Sequence, residues 1–361
     1  MTNYIDEFRD KAVIQKIVDC LNDYSGPNIK IMEVCGTHTM AISRYGLRSL
    51  LPKNIELLSG PGCPVCVTPT GYVDSATDLA ENKNVIITTF GDMMRIPGNN
   101  STLLHKKAQG CNVQMVYSPL NALEIAKANP DKEVVFLSVG FETTTPVIAL
   151  SVSKAKEEKI KNFSVLTANK TMPEAVKTLA GDKELALDGF IYPGHVSAII
   201  GTDFFSYVAY NMEKAGVIAG FEPLDVLYSI QVLLKNITER KNVLENVYSR
   251  IVSKDGNIKA QQKMYEVFEP VDAVWRGIGL IPGSGLGVNK AYAAFDTVKK
   301  FELKPKESPE PKGCACGEIL KGKKRPYDCK LFKTKCTPEN PVGACMVSSE
   351  GTCAAYYKYG E

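Results

Sequence analysis

Between residues 29 and 220 the chain repeats one pattern eight times. A short β-branched or apolar run stops abruptly at Gly, Pro, Thr or Cys, and a stretch of helical length follows. The runs lie at 29–34, 55–58, 85–89, 113–117, 134–139, 163–167, 189–192 and 216–219. A strand with one wet face alternates apolar and polar residues, whereas an unbroken run needs cover on both faces, which helices supply to a parallel sheet. The class is therefore α/β. At 361 residues the chain exceeds one ordinary domain. We expect two doubly wound parallel-sheet α/β domains at 29–125 and 126–235. A mainly helical or irregular domain is expected at 236–361, with an amphipathic N-terminal helix (1–28) packed on it. Residues 224–237 and 243–251 read as helical, and 304–312, with Pro305, Pro309 and Pro311, reads as an extended connector.

The unusual residues follow the runs. Cys35-Gly36-Thr37-His38-Thr39 follows the first and Gly60-Pro61-Gly62-Cys63-Pro64-Val65-Cys66 the second. Gly140-Phe141-Glu142-Thr143-Thr144-Thr145-Pro146 follows the fifth, Pro193-Gly194-His195-Val196-Ser197 the seventh, and Gly220-Phe221-Glu222-Pro223 the eighth. Carboxyl ends of strands are where open α/β sheets bind ligands, so these loops could share one crevice. A faint echo, Pro61-Gly62-Cys63 against Pro193-Gly194-His195 and Phe90-Gly91-Asp92 against Gly220-Phe221-Glu222, would suit two related halves split near 120–130.

Net charge is +3, too small to argue for nucleic acid or membrane. Segment 299–335, with twelve Lys and Arg against five Asp and Glu, reads first as a solvated face. The first eleven residues mix acids with apolar residues unlike a signal peptide, and no apolar run reaches the ~20 residues of a membrane span. A cytoplasmic setting is expected, where eleven cysteines serve as metal ligands, redox thiols or buried hydrophobes rather than structural disulfides.

Six of them, Cys314, Cys316, Cys329, Cys336, Cys345 and Cys353, fall within forty residues that contain few large aliphatics. Hydrophobic burial alone orders such a stretch poorly, and a metal crosslink would do better. Zinc knuckles pair ligands two to four residues apart, but here the gaps after Cys316 are twelve, six, eight and seven residues. That spacing suits an all-thiolate iron–sulfur cube better, with zinc as the alternative. Cys63 and Cys66 have the spacing of a chelating or redox dithiol, and a metal-free thioredoxin-like pair is the plainer reading. His38, three residues after Cys35, can share a side with it as ligand or proton carrier, as against an ordinary structural His. His195 has similar standing without a neighbouring cysteine. Glu142 is either a helix-capping carboxylate or an acid/base, and Glu222 is a weaker candidate. His105, Cys20 and Cys111 read as structural or surface residues. Gly283-Ser284-Gly285-Leu286-Gly287 lacks the Lys-Ser/Thr of a phosphate loop and is discounted.

Together the five motifs around Cys35, Cys63, Glu142, His195 and the stretch Met346-Val347-Ser348-Ser349-Glu350-Gly351 before Cys353 resemble the HypD family, which matures the iron centre of NiFe-hydrogenases. The resemblance implies two α/β domains plus a 4Fe–4S domain. It implies a partner, HypC, with which an iron is held while cyanide, delivered by HypE from a carbamoyl group made by HypF, and carbon monoxide are installed. The resulting Fe(CN)2CO unit would pass to the hydrogenase large subunit. By the same resemblance Cys316, Cys329, Cys336 and Cys353 are the cluster ligands, and Cys314 with Cys345 forms a nearby redox pair. Cys35, Cys63 and Cys66 are the essential thiols of the body. Soft thiolates suit an electron-rich iron, and dithiols store electrons in pairs. Cys35 is then the iron anchor, Cys63 and Cys66 a switchable dithiol, and His38 or Glu142, beside Thr37 and His195, the proton partners. The competing readings are a 4Fe–4S-dependent thiol-disulfide oxidoreductase without such an iron, and an assembly scaffold whose tail holds zinc.

Overall fold

The computed structural model describes residues 6–306 and 308–360. Every one of the eight runs is a strand: β1 Ile29–Glu33, β2 Ile55–Ser59, β3 Val85–Thr89, β4 Val113–Met115, β5 Glu133–Ser138, β6 Phe163–Thr167, β7 Gly189–Pro193 and β8 Ala215–Ala219. A short β9 (Leu244–Asn246) follows. They form two parallel sheets, ordered β2-β1-β7-β8-β9 and β4-β3-β5-β6. All residues of β3, β7 and β8 are buried, as runs without alternation require.

The sheets do not divide at residue 125. One draws its strands from 29–59 and from 189–246, and the other lies wholly within 85–167. The expected linear split is thus replaced by an interleaved one, because β1 keeps an open edge until β7 returns to pair with it, Ile31 opposite Gly189. Asp188 clamps the returning chain: its carboxylate accepts the Lys30 N–H at 2.8 Å, and its own N–H donates to the Lys30 carbonyl at 2.9 Å. Both sheets share the doubly wound order in which the second strand lies outside the first. The residue echo nevertheless pairs β2 with β7, both of the first sheet, and β3 of the second sheet with β8 of the first, so it does not relate one sheet to the other.

Three other expectations change. A 3-10 turn (Asp6–Arg9) precedes the N-terminal helix Lys11–Asn22, which Asp10 caps; Ile5 lies outside the described residues. Val18 and Leu21 of this helix pack with Ile29, Val226 and Ile230 against the first sheet, not against the cysteine-rich tail. Helix Pro223–Thr238 is present, but 243–251 holds the edge strand β9 and turns rather than helix. Residues 268–288 form an antiparallel hairpin of β10 (Phe268–Trp275) and β11 (Gly279–Val288), whose Phe268, Leu286 and Val288 join the second sheet's core with Ile86 and Phe136. The glycine-rich motif is simply β11. The tail from 313 consists of turns and short helices, Cys316–Leu320 and Thr352–Tyr359 among them, and the latter packs on helix Gly36–Arg44. Among the described residues no helix is long and apolar enough to cross a membrane.

Candidate thiol site between the two sheets

In sheets of this order the strands reverse direction of build at one point, and the loops leaving the two strands there splay apart to leave a crevice. In the first sheet the point lies between β1 and β7, in the second between β3 and β5. These two points face each other. A cleft of about 220 Å³ is lined by Cys35, Thr37, Phe141, Thr143, His195 and Glu350, and one of about 400 Å³ by Cys63, Asp92, Val139, Thr144 and Glu350. Residues from both sheets and from the tail therefore meet, and Glu350 belongs to both hollows.

Cys35 is the N-cap of helix Gly36–Arg44, extended at φ −148° and ψ 122°. The nearby backbone N–H groups of His38 and Thr37 favour a thiolate, but burial outweighs them and pushes the thiol up to about 12; Glu350 and Glu33 add to the rise. Glu33, the fully buried end of β1, fixes the turn by accepting the Cys35 N–H at 2.9 Å and the Thr39 hydroxyl at 2.5 Å. Burial likewise raises the Glu33 carboxyl.

The Cys63 loop is pressed onto this turn. The Gly36 N–H donates to the Gly62 carbonyl at 2.9 Å, and a Cβ on Gly62 would lie 2.3 Å from both the Cys35 carbonyl carbon and the Gly36 nitrogen. A Cβ on Gly36 would in turn lie 2.5 Å from that of Glu350. Glycine is needed at both places for close approach, not for an unusual φ. Thr37 completes the junction by donating its hydroxyl to Glu350 at 2.7 Å. Cys63 and Cys66 form a disulfide with Cα atoms 5.2 Å apart, both residues buried.

The two histidines contact one ring: Phe221 lies 4.7 Å from His38, tilted against it, and 3.9 Å from His195, stacked on it, centroid to centroid. His38 is fully buried and does not line either hollow. Its Nε2 donates to the Gly220 carbonyl at 2.8 Å, so Nδ1 holds the lone pair, buried without a partner. Burial lowers the imidazole to about 4. His195 faces the cleft, its pKa also lowered by burial. Glu142 turns away: one carboxylate oxygen accepts the Met172 N–H at 2.9 Å at the start of helix Met172–Ala180, and the other is buried unpartnered. Burial raises this carboxyl to about 7. Glu222 caps helix Pro223–Thr238 and pairs with Arg9 at 2.6 Å, a surface role.

All six tail cysteines join Cys63 and Cys66 in a single packed cluster, Cys314 at its partly buried margin. Cys66 points its thiol position at the Ala344 carbonyl, 3.8 Å away, one residue before Cys345. Cys345 lies 3.1 Å from Cys353, sulfur to sulfur, and the thiols of Cys314, Cys316 and Cys345 are near enough to perturb one another's titration. Cys336 accepts the Val342 N–H at 3.3 Å. Among the described residues no three His, Cys, Asp or Glu side chains stand in metal-ligating geometry; the thiols bond one another. As a donor set they nonetheless fit a thiolate-held cluster, being all sulfur, buried, and drawn together from separate turns. Cys20 is exposed, Cys111 half-buried, and His105 bonds only its own helix and its N-terminal approach. Glu33 and Glu350 were not singled out from sequence. An acid closing an apolar strand, and one acid set between serine and glycine in a basic tail, were the available signals.

The fold and site define a class: an α/β protein with two interleaved sheets whose switch-point loops and cysteine-rich tail close on one thiol-lined cleft. The chain belongs to the HypD family, described as "HypD: Hydrogenase formation hypA family", which matches residues 10–360. It is 46% identical to hydrogenase maturation factor HypD of Cupriavidus necator and 45% identical to HypD2 of Bradyrhizobium diazoefficiens, each over 99% of this chain and 97% of the relative. With HypD of Escherichia coli it shares 40% identity over 99% of this chain and 98% of that protein.

Proposed function

We propose that this protein is a cytoplasmic maturation factor for NiFe-hydrogenase that holds an iron as cargo at Cys35 while the Fe(CN)2CO unit is assembled on it. The observation that carries the reading is the position of Cys35: a buried sulfur at a helix N-terminus, where the switch points of both sheets and the tail's Glu350 meet. HypC would supply a second thiolate, HypE the cyanide, and HypF the carbamoyl precursor upstream. Soft sulfur keeps iron electron-rich, and the carboxylates of Glu33 and Glu350 give a cation a favourable field. His195, at the cleft wall, is the better placed of the two histidines to hold or give a proton at an incoming ligand, while His38 contacts the Phe221 ring on which His195 stacks.

Cys316, Cys329, Cys336 and Cys353 would hold a 4Fe–4S cluster, which when bound supplies single electrons. Cys314 and Cys345, packed against two of those ligands, and Cys63 with Cys66 beyond Ala344, would each take two electrons and two protons as a disulfide and hold them as a dithiol. The Cys63–Cys66 disulfide also favours a second reading, a cluster-dependent thiol-disulfide oxidoreductase. One experiment separates them. After anaerobic purification with HypC, the wild type should carry iron beyond the cluster and the infrared bands of bound cyanide and carbon monoxide, and Cys35→Ala should lose the bands while keeping the cluster's absorbance. Bands at full strength in Cys35→Ala would remove Cys35 as anchor. Generic disulfide reductase activity without extra iron would favour the second reading.

A further inference from the structure

Behind the thiol cleft lies a larger cavity, about 860 Å³, between β6, the hairpin and the connector. That volume is within the roughly 300–1,000 Å³ of small-molecule sites. The two hollows stand back to back: Phe141, which lines the cleft, stacks at 5.8 Å on Trp275, which lines the cavity. The connector forms its outer wall as a strap. The Lys306 carbonyl lies against Gly71, where a Cβ would come within 1.9 Å. Ser308 donates to Asp74 at 2.6 Å, and Glu310 pairs with Arg276 at 3.0 Å.

Two cationic side chains in this wall are more deeply buried than their contacts explain. Lys170 is 2% exposed, and its ammonium has only the Trp275 ring, 5.8 Å from the centroid; among the described residues it makes no ion pair or side-chain hydrogen bond. Arg276 is 1% exposed, and after bonding Thr68 and Glu310 its Nη2 remains buried with no acceptor. Lys304 and Lys306 of the strap also line the cavity, with Asp272 and Glu310, and Lys306 already pairs with Asp78. Asp272 is already engaged by the Gly283 N–H at 3.0 Å, and Glu310 by Arg276. The Lys170 ammonium and the Arg276 Nη2 are thus left as cationic donors with no acceptor. A buried cation without a partner is costly, and nothing in the fold uses the Lys170 ammonium. What these two groups lack is an acceptor oxygen with negative charge, beside an indole face and an apolar hairpin.

We propose that this cavity binds a small organic oxyanion, a carboxylate or phosphate on an aromatic or apolar body, with Lys170 and Arg276 meeting the charged group and Trp275 the body. The site is distinct from the thiol cleft and does not depend on the iron-holding reading, since its test does not measure maturation.

Trp275 is the only tryptophan of the chain, so its emission reports on this wall alone. The full-length protein, kept anaerobic, is titrated with phenyl phosphate, with benzoate and with the neutral benzyl alcohol. A saturable change in emission is expected with at least one of the two anions and not with the alcohol, and the tighter anion names the oxyanion class. Lys170→Met should weaken that binding at least tenfold. A thermal melt without ligand should find the variant as stable as the wild type or more so, because it removes an unpartnered buried charge. The anion should raise the wild-type melting temperature and leave that of Lys170→Met unmoved. No saturable response to either anion at millimolar concentration, equal binding of the alcohol, or wild-type affinity in a folded Lys170→Met would overturn the proposal.

Discussion

Replacing Gly62 by alanine tests how the thiol cleft is closed. The added methyl carbon would sit 2.3 Å from the Cys35 carbonyl carbon, 2.3 Å from the Gly36 nitrogen and 2.4 Å from the Cys35 Cα. All three are backbone atoms at the start of a helix, so no side chain can swing aside; one of the two loops must move by about an ångström to reach ordinary contact. Overpacking usually costs about 1–3 kcal/mol, and backbone-on-backbone contact belongs at the upper end. About 3 kcal/mol corresponds to a fall in melting temperature of roughly 4 °C if the whole chain unfolds together, at about 2.1 cal/mol/K per residue. The movement also breaks the Gly36–Gly62 hydrogen bond that sets Cys35 against the Cys63 loop. Under the proposed function, iron held at Cys35 should therefore fall with stability. Gly91→Ala is the control, since its methyl would meet only the flexible Met115 sulfur at 3.2 Å. Calorimetry and iron counting on both variants decide the matter. If Gly62→Ala melts and loads like Gly91→Ala, the close approach inferred for the two loops is wrong.

Two further expectations concern the same region. Thr37→Val removes the hydroxyl that donates to Glu350 and should weaken docking of the tail by about 1.5–3 kcal/mol, as for a hydrogen bond to a charged partner; limited proteolysis within 305–351 should accelerate, and unchanged cleavage would refute it. Glu142→Gln should alter the pH dependence of stability. The native carboxyl is raised from 4.5 to about 7 by burial, so the folded state binds more protons than the unfolded one between those values, and wild-type stability declines as pH rises through that window. The shift is worth about 3 kcal/mol, so the variant should gain on the wild type by up to about that much between pH 4.5 and 7.5 in urea unfolding. Parallel curves would show that the buried oxygen is compensated.

Strand positions were legible because burial on both faces leaves little freedom: β3, with Val85, Ile86 and Ile87, can be nothing else. Sheet membership was not, since the pairing of Ile31 with Gly189 joins two distant parts of the chain and leaves no local mark. That is why a linear division looked reasonable where β7 in fact returns to β1. The hairpin was hidden for the opposite reason. Its glycines and prolines, Pro270, Pro282, Gly283, Gly285 and Gly287, are turn-formers by local propensity and are held in strands by packing on the second sheet's core. The cysteines announced themselves by clustering. His38, favoured by its nearness to Cys35 in sequence, faces inward, whereas His195 reaches the cleft because β7 lies beside β1. The acids that shape the cleft, Glu33 and Glu350, are single residues whose meaning appears only when residue 350 is brought against residue 37.

The meeting of tail and cleft carries a consequence for how the molecule works as a unit. Glu350 bonds Thr37, Cys66 touches the Ala344 carbonyl, Arg95 donates to the Val347 carbonyl at 2.9 Å, and helix Thr352–Tyr359 packs on the helix that Cys35 caps. These contacts tie the tail to loops from both sheets. The stretch they fasten is poor in large aliphatics, so its order depends on the cysteines more than on apolar burial. Whatever state those cysteines adopt therefore biases how firmly the tail is seated, and a loosely seated tail removes one wall from the cleft that Cys35 lines. Coupling of this kind needs no long pathway: the two states of the tail and the two states of the cleft share the same few contacts, and a change in either is felt by the other in equal measure.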